Sequence, residues 1–462
     1  MVKASLIKEF EKCIGKENVL TSDADRQSYS YDSTVMNPVI PAMVLCPTAT
    51  EQLGQLITLC YENDMPMTVR GAGTSLSGGA TPDSTDTVVI STTNLNKILE
   101  VHDADLYAVV EPGVVTAHFA SAMLKRGLFY PPDPGSQTIS TLGGNVAENA
   151  GGLRGLKYGV TKHYVMGMDF YDYTGMLVST GTRTVKCSTG YDFSSLMTGS
   201  EGTLGIISKL ILKLVPPPKA SKAMMVIYDD LQAAASAVSD IIAAHIVPCT
   251  LEIMDKVVIN CVEDFCHPGL PTDAAAVLLI EVDGHPAQVE DEAAIVEKVL
   301  RESGKVREII VAKNEAEKTK LWEGRRSTFG ALARARPSIL AEDVTVPRSM
   351  IPAMMASITE AGEKYGILIG TCGHVGDGNM HPNLMYDARN PDERERAEKA
   401  ADFIFEAALK HNGTLSGEHG IGTAKKHWME AGVGKGNMIF SRRLRRALDP
   451  KGLFNPSKVV GV

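Results

Sequence analysis

No apolar run in this 462-residue chain approaches the roughly 18 residues needed to cross a bilayer. The longest clean one, Ala274 to Ile280, has the length of a buried strand. The first twenty residues carry charges throughout, with no apolar core of the kind a signal peptide needs, and residues 1–40 read as a helical lead-in followed by a loop. Low-complexity tracts are absent. Basic residues are in deficit, 46 against 55 acidic for a net charge of −9, which is the wrong sign for a nucleic-acid binder. The eight cysteines (Cys13, Cys46, Cys60, Cys187, Cys249, Cys261, Cys266 and Cys372) include no CxxC pair. Their spacing suits neither an iron–sulfur cluster nor a zinc ribbon. Most lie in apolar stretches, as buried reduced thiols do, and this points to a cytoplasmic protein. If the chain moves electrons, they must leave through another group or a partner.

What is present is an ordinary globular composition, 44% hydrophobic and 22% charged, in a chain long enough for about two to four domains. Glycine is in excess, 42 residues, and the excess is concentrated in a few segments. From Val44 the pattern runs strand, helix, strand. Thr48-Ala-Thr-Glu51 reads as a capping box opening a helix to about Asn63, and Met67–Arg70 reads as a strand. Further strands are expected at Thr87–Ser91, Lys97–Val101, Ala108–Glu111 and Ile206–Leu214. Pro216-Pro-Pro218 breaks the chain. Beyond it, strands at Ala223–Tyr228, Thr250–Ile253, Ala275–Val282 and Val306–Val311 alternate with helices at Leu231–Ala244 and Val289–Glu302. This is the β-α-β-β-α-β order of a ferredoxin-like layer. A long helix carrying Trp322 and a strand at Asp343–Pro347 follow. Arg442-Arg-Leu-Arg-Arg446 reads as a solvated or packing helix face, with a docking patch for an acidic partner as the minor alternative.

Three glycine-rich segments carry the functional argument. Arg70-Gly-Ala-Gly-Thr-Ser-Leu-Ser-Gly-Gly79 follows a strand, and glycines there let backbone N–H groups converge on an anion. It lacks both G-x-G-x-x-G and Gly-Lys-Ser/Thr, so it is neither a dinucleotide fingerprint nor a P-loop, and taken alone it is equally a surface loop. Pro131 to Gly152 couples rigidifying prolines to a run of small residues suited to a large planar ligand. Gly199-Ser-Glu-Gly-Thr-Leu-Gly205 is the third. Together they point to a nucleotide cofactor.

Cys372-Gly-His-Val-Gly-Asp-Gly-Asn-Met-His-Pro-Asn383 suggests a hairpin turning on Asp377-Gly378. That register sets His374 directly opposite His381, about 4.5–5.5 Å apart at Cβ, close enough for two imidazoles to share a cation. Glu418 and His419, flanked by glycines in Ser416-Gly-Glu-His-Gly-Ile-Gly422, form an adjacent acidic–basic pair. Each histidine singly is more often a satisfied core or turn residue. The set together favours a functional site.

These segments resemble the FAD-binding domain of the vanillyl-alcohol oxidase / p-cresol methylhydroxylase superfamily, closest to its D-lactate, glycolate and D-2-hydroxyglutarate dehydrogenase branch, from about Val39 to Asn455. The resemblance implies an α+β fold: a two-part FAD-binding domain (1–217, core 39–217), a ferredoxin-like cap (218–412) and a C-terminal segment (413–462) returning to the flavin site. It implies that Arg70, Gly71, Ala72, Gly73, Thr74, Ser75 and Ser77 hold the FAD pyrophosphate. Pro132, Gly135, Ser136, Thr141, Gly143, Gly144 and Asn145 would line the flavin. Gly202, Gly205 and Ile206 would meet the adenine side, and Asn455 would lie near the flavin. Some members attach FAD to a histidine in the first loop; Thr74-Ser75 stands there, so non-covalent FAD is expected. His374, His381 and Glu418 take the positions of divalent-metal ligands (zinc, iron, manganese or cobalt all suit them), and His419 that of the base. Arg325 matches a substrate-carboxylate arginine, although an arginine on an amphipathic helix is more often solvated, and Asn383 matches a polar substrate contact. Phe329 and Ala341 stand where the hydroxyglutarate branch carries its threonine and lysine. The implied activity is oxidation of a D-2-hydroxy acid, D-lactate to pyruvate first and glycolate as the alternative, with a non-catalytic electron-relay subunit a third reading. An external acceptor follows: an electron-transferring flavoprotein, a separate iron–sulfur subunit or a quinone system. The expected protein is cytoplasmic, or membrane-peripheral through a partner in a hetero-complex.

Overall fold

A computed structural model describes residues 2–461. The chain forms two compact units. The first comprises residues 1–151, 160–217 and 418–462. In its smaller sheet, Met43–Leu45 and Met67–Arg70 flank Val88–Ser91 in parallel, and Val19–Leu20 adds an antiparallel edge. Parallel strands buried on both faces read as continuous apolar runs. Met43, Leu45, Val88 and Ile90 accordingly pack with Leu53, Leu56 and Ile57 of the helix Gln52–Glu62 and with Phe10 of the helix Ala4–Ile14. The larger sheet runs Ile98–His102, Tyr107–Val110, Ile206–Lys213, Val165–Tyr171, Leu177–Gly181, all antiparallel. The C-terminus returns to the small sheet: Met67 bridges Phe454, and the Asn455 N–H donates to the Met67 carbonyl at 2.7 Å.

The second unit joins residues 152–159 to 218–417. Segment 152–159 belongs here because Lys157 Nζ donates to Asp283 Oδ1 and Tyr158 Oη to Asp283 Oδ2, each at 2.6 Å. The antiparallel sheet begins Glu308–Val311, Ala220–Tyr228, Ala276–Gly284, Thr250–Asp255. That is the ferredoxin-like order expected from the sequence. The sheet then continues through Leu368–Gly373, Asn379–Tyr386 and Ser338–Ala341. Helices cover both faces: Leu231–Ala243 and Pro286–Glu302 on one, Lys256–Cys266, Glu315–Arg326 and Thr328–Ala335 on the other. This double cover explains why Ala274–Ile280 is apolar without alternation.

Several local expectations are corrected. No capping box opens the helix Gln52–Glu62; instead Gln52 Oε1 accepts the N–H groups of Thr48 and Ala49 at 2.8 and 3.1 Å. The helix carrying Trp322 breaks at Ser327 into two. In the arginine run, of the two readings offered, packing holds at Arg445. Arg445 is buried, its guanidinium donating to the carbonyls of Phe454, Asn455, Pro456 and Lys458. Cys46, Cys60, Cys249 and Cys372 are buried thiols, but Cys187 is exposed. Among the described residues no helix is long and apolar enough to cross a membrane.

Candidate active site

The hairpin that carries His374 and His381 differs from the one expected. Cys372, not His374, pairs with His381. The first strand stops at Gly373, and Val375–Asp377 forms a single 3₁₀ turn. The turn is closed by N–H donation from Asp377 and Asn379 to the His374 carbonyl, each at 3.2 Å. Gly378, at φ +88°, ends it, and a Cβ there would lie 2.1 Å from the Val346 carbonyl oxygen. The longer loop still brings the two imidazoles together: their ring centroids are 5.1 Å apart at 84°, and one nitrogen of each lies within 4.8 Å of the other.

Each imidazole is backed by a buried carboxylate that the sequence reading passed over. Pairing of Ile253 with Gly373 and of Met254 with Cys372 sets Glu252 across from His374. Glu252 Oε1 lies 2.6 Å from His374 Nδ1, and Oε2 accepts from Arg325 Nε at 2.8 Å. The Glu252 side chain is fully buried. Arg325, read from the sequence as a carboxylate receptor, therefore stands in an ion pair within the protein and not on a solvated face. The signal available was an acidic residue between Leu251 and Ile253 in the fully buried strand Thr250–Asp255.

Asp343 backs the other imidazole. Its Oδ1 lies 3.7 Å from His381 Nδ1, longer than a hydrogen bond. The same oxygen accepts from Asn379 Nδ2 at 2.6 Å, while Oδ2 accepts the Ser416 hydroxyl at 2.6 Å and the Gly417 N–H at 2.8 Å. Gly417 is required where it stands, since a Cβ would fall 1.7 Å from Asn379 Nδ2. Asp343 thus holds the two residues that immediately precede Glu418 and His419. Asn383 is buried, and its Nδ2 donates to the carbonyls of Gly370 and His381 at 3.1 and 2.8 Å, which stiffens the hairpin. Asp255 caps the helix Lys256–Cys266 through the Val258 N–H and accepts from Thr371 N at 2.6 Å; burial pushes its carboxyl up to about 6. Burial likewise raises the Cys372 thiol.

The glycine-rich segments, with Glu418 and His419, belong to the first unit. Arg70 turns inward and closes its loop through the carbonyls of Tyr31 and Ala80 at 2.7 and 3.1 Å. Ser75 Oγ accepts from the N–H groups of Ser77 and Gly79. At Gly71 a Cβ would lie 2.4 Å from Thr141 Oγ1, so the first loop meets the Thr141 side chain of the second segment only because position 71 carries no side chain of its own. Thr141 caps the helix Leu142–Glu148, which contains Gly143, Gly144 and Asn145; Asn145 Nδ2 donates to Thr116 Oγ1 at 2.7 Å. Pro132 is buried. Gly135 is exposed, with open space about it, and Ser136 is half-buried beside it. Gly202 has φ +68°, and Gly205 precedes the strand opened by Ile206. Asn455 ties these pieces together. Its Nδ2 donates to the carbonyls of Gly79 and Glu201 at 2.9 and 2.7 Å, and its Oδ1 accepts from Thr68 Oγ1 at 3.1 Å. Glu201 in turn accepts the N–H groups of Ile421 and Gly422, each at 2.7 Å, and Glu418 lies against Gly151.

Comparison with known proteins agrees with this layout. Residues 217–459 match the C-terminal domain of FAD-linked oxidases, and residues 41–181 match an FAD-binding domain. The chain is 43% identical over 459 residues to the glycolate oxidase subunit GlcD of Bacillus subtilis, covering 99% of this chain and 97% of that protein. It is 33% identical over 471 residues to the D-lactate dehydrogenase of Anaerostipes hadrus, covering 99% and 98%. The structure of p-cresol methylhydroxylase superposes with a TM-score of 0.83 at 19% identity, covering 99% and 96%; this shows a shared fold.

Proposed function

Because the chain belongs to the FAD-linked oxidase family, we propose that it oxidises a short D-2-hydroxy acid to the 2-keto acid with the help of a divalent metal. The observation that carries this reading is the pair of imidazoles, His374 and His381, each with a buried carboxylate on its Nδ1 side. Metal-binding histidines are oriented in this way, which leaves Nε2 for the cation.

The residues fit both groups. For FAD, the absence of a side chain at Gly71, beside the Thr141 hydroxyl, suits close backbone approach to a phosphate-bearing, planar ligand. Arg70, Gly71, Ala72, Gly73, Thr74, Ser75 and Ser77 would hold its pyrophosphate. Pro132, Gly135, Ser136, Thr141 and Gly143–Asn145 would hold its flavin, with Asn455 near it, and Gly202, Gly205 and Ile206 its adenine side, with no bond to the protein. For the metal, His374, His381 and Glu418 would be the ligands, and Asp343 supports the last of these by pinning the preceding Ser416 and Gly417. When bound, FAD would supply the acceptor for the hydride that leaves the substrate carbon, and a cation would lower the pKa of the substrate hydroxyl. His419 takes the hydroxyl proton, Arg325 meets the substrate carboxylate, and Asn383 holds the hairpin beside it.

Phe329, half exposed, and Ala341, paired with Asn383, offer nothing to grip a second carboxylate, so a monocarboxylate is preferred. D-lactate is the first substrate. The glycolate reading is favoured by the higher identity to the glycolate oxidase subunit. The word subunit in that protein's name supports an assembly in which an electron-transferring flavoprotein or an iron–sulfur subunit takes the electrons on.

Anaerobic titration with D-lactate, L-lactate and glycolate tests the proposal. D-lactate or glycolate should bleach the flavin absorbance, and L-lactate should not. Substitution His419→Ala should leave FAD bound and slow this reduction by about 10²–10⁴-fold. No bleaching with any of the three acids, or an undiminished rate in the variant, would defeat the assignment.

A further inference from the structure

We infer that Glu252 is a positioning residue that joins the metal ligand His374 to the substrate-binding Arg325, so that each of the two sites strengthens the other. This inference rests on the function proposed above and goes beyond it, since that reading treats the two sites separately.

The two oxygens of one carboxylate reach both sites. Oε1 takes His374 Nδ1 at 2.6 Å and Oε2 takes Arg325 Nε at 2.8 Å, so one carboxylate engages both partners. The residue stands on a strand, and the neighbouring pairs Ile253–Gly373 and Met254–Cys372 fix where it sits against His374. Its side chain has no exposure, and those of Arg325 and His374 have 13% and 10%. A buried carboxylate with two charge-assisted contacts has little freedom to rotate. With Nδ1 engaged, the imidazole presents Nε2 to a cation, and with Nε engaged the plane of the guanidinium fork is set. Displacing either partner therefore releases the other through one shared group. Coupling of this kind is reciprocal: whatever Arg325 contributes to metal binding, the metal contributes to the order of Arg325. An ion pair that only stabilised the fold would show no such link.

The test uses the full chain loaded with FAD and measures affinity for zinc and for manganese by competition with a chelator. In Glu252→Gln one amide can satisfy only one of two donors. Metal affinity should fall by about 10–100-fold, with full occupancy regained at saturating metal and the FAD:protein ratio unchanged. Arg325→Lys removes the Nε donor at a residue that is not a metal ligand, and should weaken metal binding by about 5-fold or more. Unchanged metal affinity in either variant overturns the inference. If Glu252→Gln fails to load FAD, the Arg325→Lys measurement alone decides. His374→Ala and His381→Ala separate the two levels of argument. If they bind metal as the parent does, the metal-site reading itself fails. If they lose metal while Glu252→Gln keeps it, only the role of Glu252 fails.

Discussion

Two pairs of buried carboxylates, one pair in each unit, keep opposite company. In the first, Glu148 and Glu201 face each other. Glu201 has backbone N–H groups for partners, and burial, followed by the neighbouring Glu201 charge, pushes the Glu148 carboxyl well above the usual range. In the second, Glu252 and Asp343 each face a base, and Glu252 an arginine as well. A buried acid beside another acid is a cost to be relieved by holding a proton; a buried acid beside a base orders its partner. The lesson is that the residue type says little and the partner says most. Substitutions of the same kind should therefore have different effects in the two units.

The largest contrast should come from truncation. Glu252→Ala leaves Arg325 without its buried counter-charge and should cost about 3–5 kcal/mol. Glu201→Ala leaves backbone N–H groups without acceptors but relieves Glu148, and should cost less, about 1–3 kcal/mol. Equal losses in denaturant unfolding would break the comparison. Next in size is Asp343→Asn, where a carboxamide nitrogen must face either Asn379 Nδ2 or the Ser416 and Gly417 donors. A loss of about 1–3 kcal/mol is expected. Amide hydrogen exchange at Gly417 should quicken, and unchanged protection there would remove Asp343 from the account of Glu418. The smallest effect is Glu148→Gln. A carboxyl with a raised folded pKa contributes stability below its unfolded value and loses it as pH rises through the folded one. The variant, which has no proton to lose, should gain melting temperature relative to the parent as pH climbs from the ordinary glutamate range towards 8. A gap that stays flat or narrows would show that Glu148 carries no such cost.

Much of the fold was legible because it is local. Met67–Arg70 begins and ends where its pattern says, and the ferredoxin-like strand order follows from the alternation of short apolar runs and amphipathic helices. The sheet beyond Thr250–Asp255 was not legible, because Leu368–Gly373 joins it from more than a hundred residues away. Asp377-Gly378 marked the turn correctly but misplaced the register. The 3₁₀ turn absorbs residues that a two-residue loop would have left in the strands, and Cys372 takes the place opposite His381. In the glycine segments the sequence announced small residues. It did not announce that Arg70 would turn inward on Tyr31 and Ala80, nor that Asn455 would tie Gly79 to Glu201.

Composition, periodicity and motif spacing were enough to settle the strand and helix order of the ferredoxin-like layer, the want of an apolar run long enough to cross a membrane and the choice of His374, His381, Glu418 and His419 as residues to examine. Only the tertiary structure decided which acid stands behind which base. Glu252 meets His374 across 122 residues and Arg325 across 73, and no local period encodes such a meeting. The electrostatic meaning of a buried charge comes from its neighbours within a few ångströms, and those neighbours are assigned by strand pairing and helix packing.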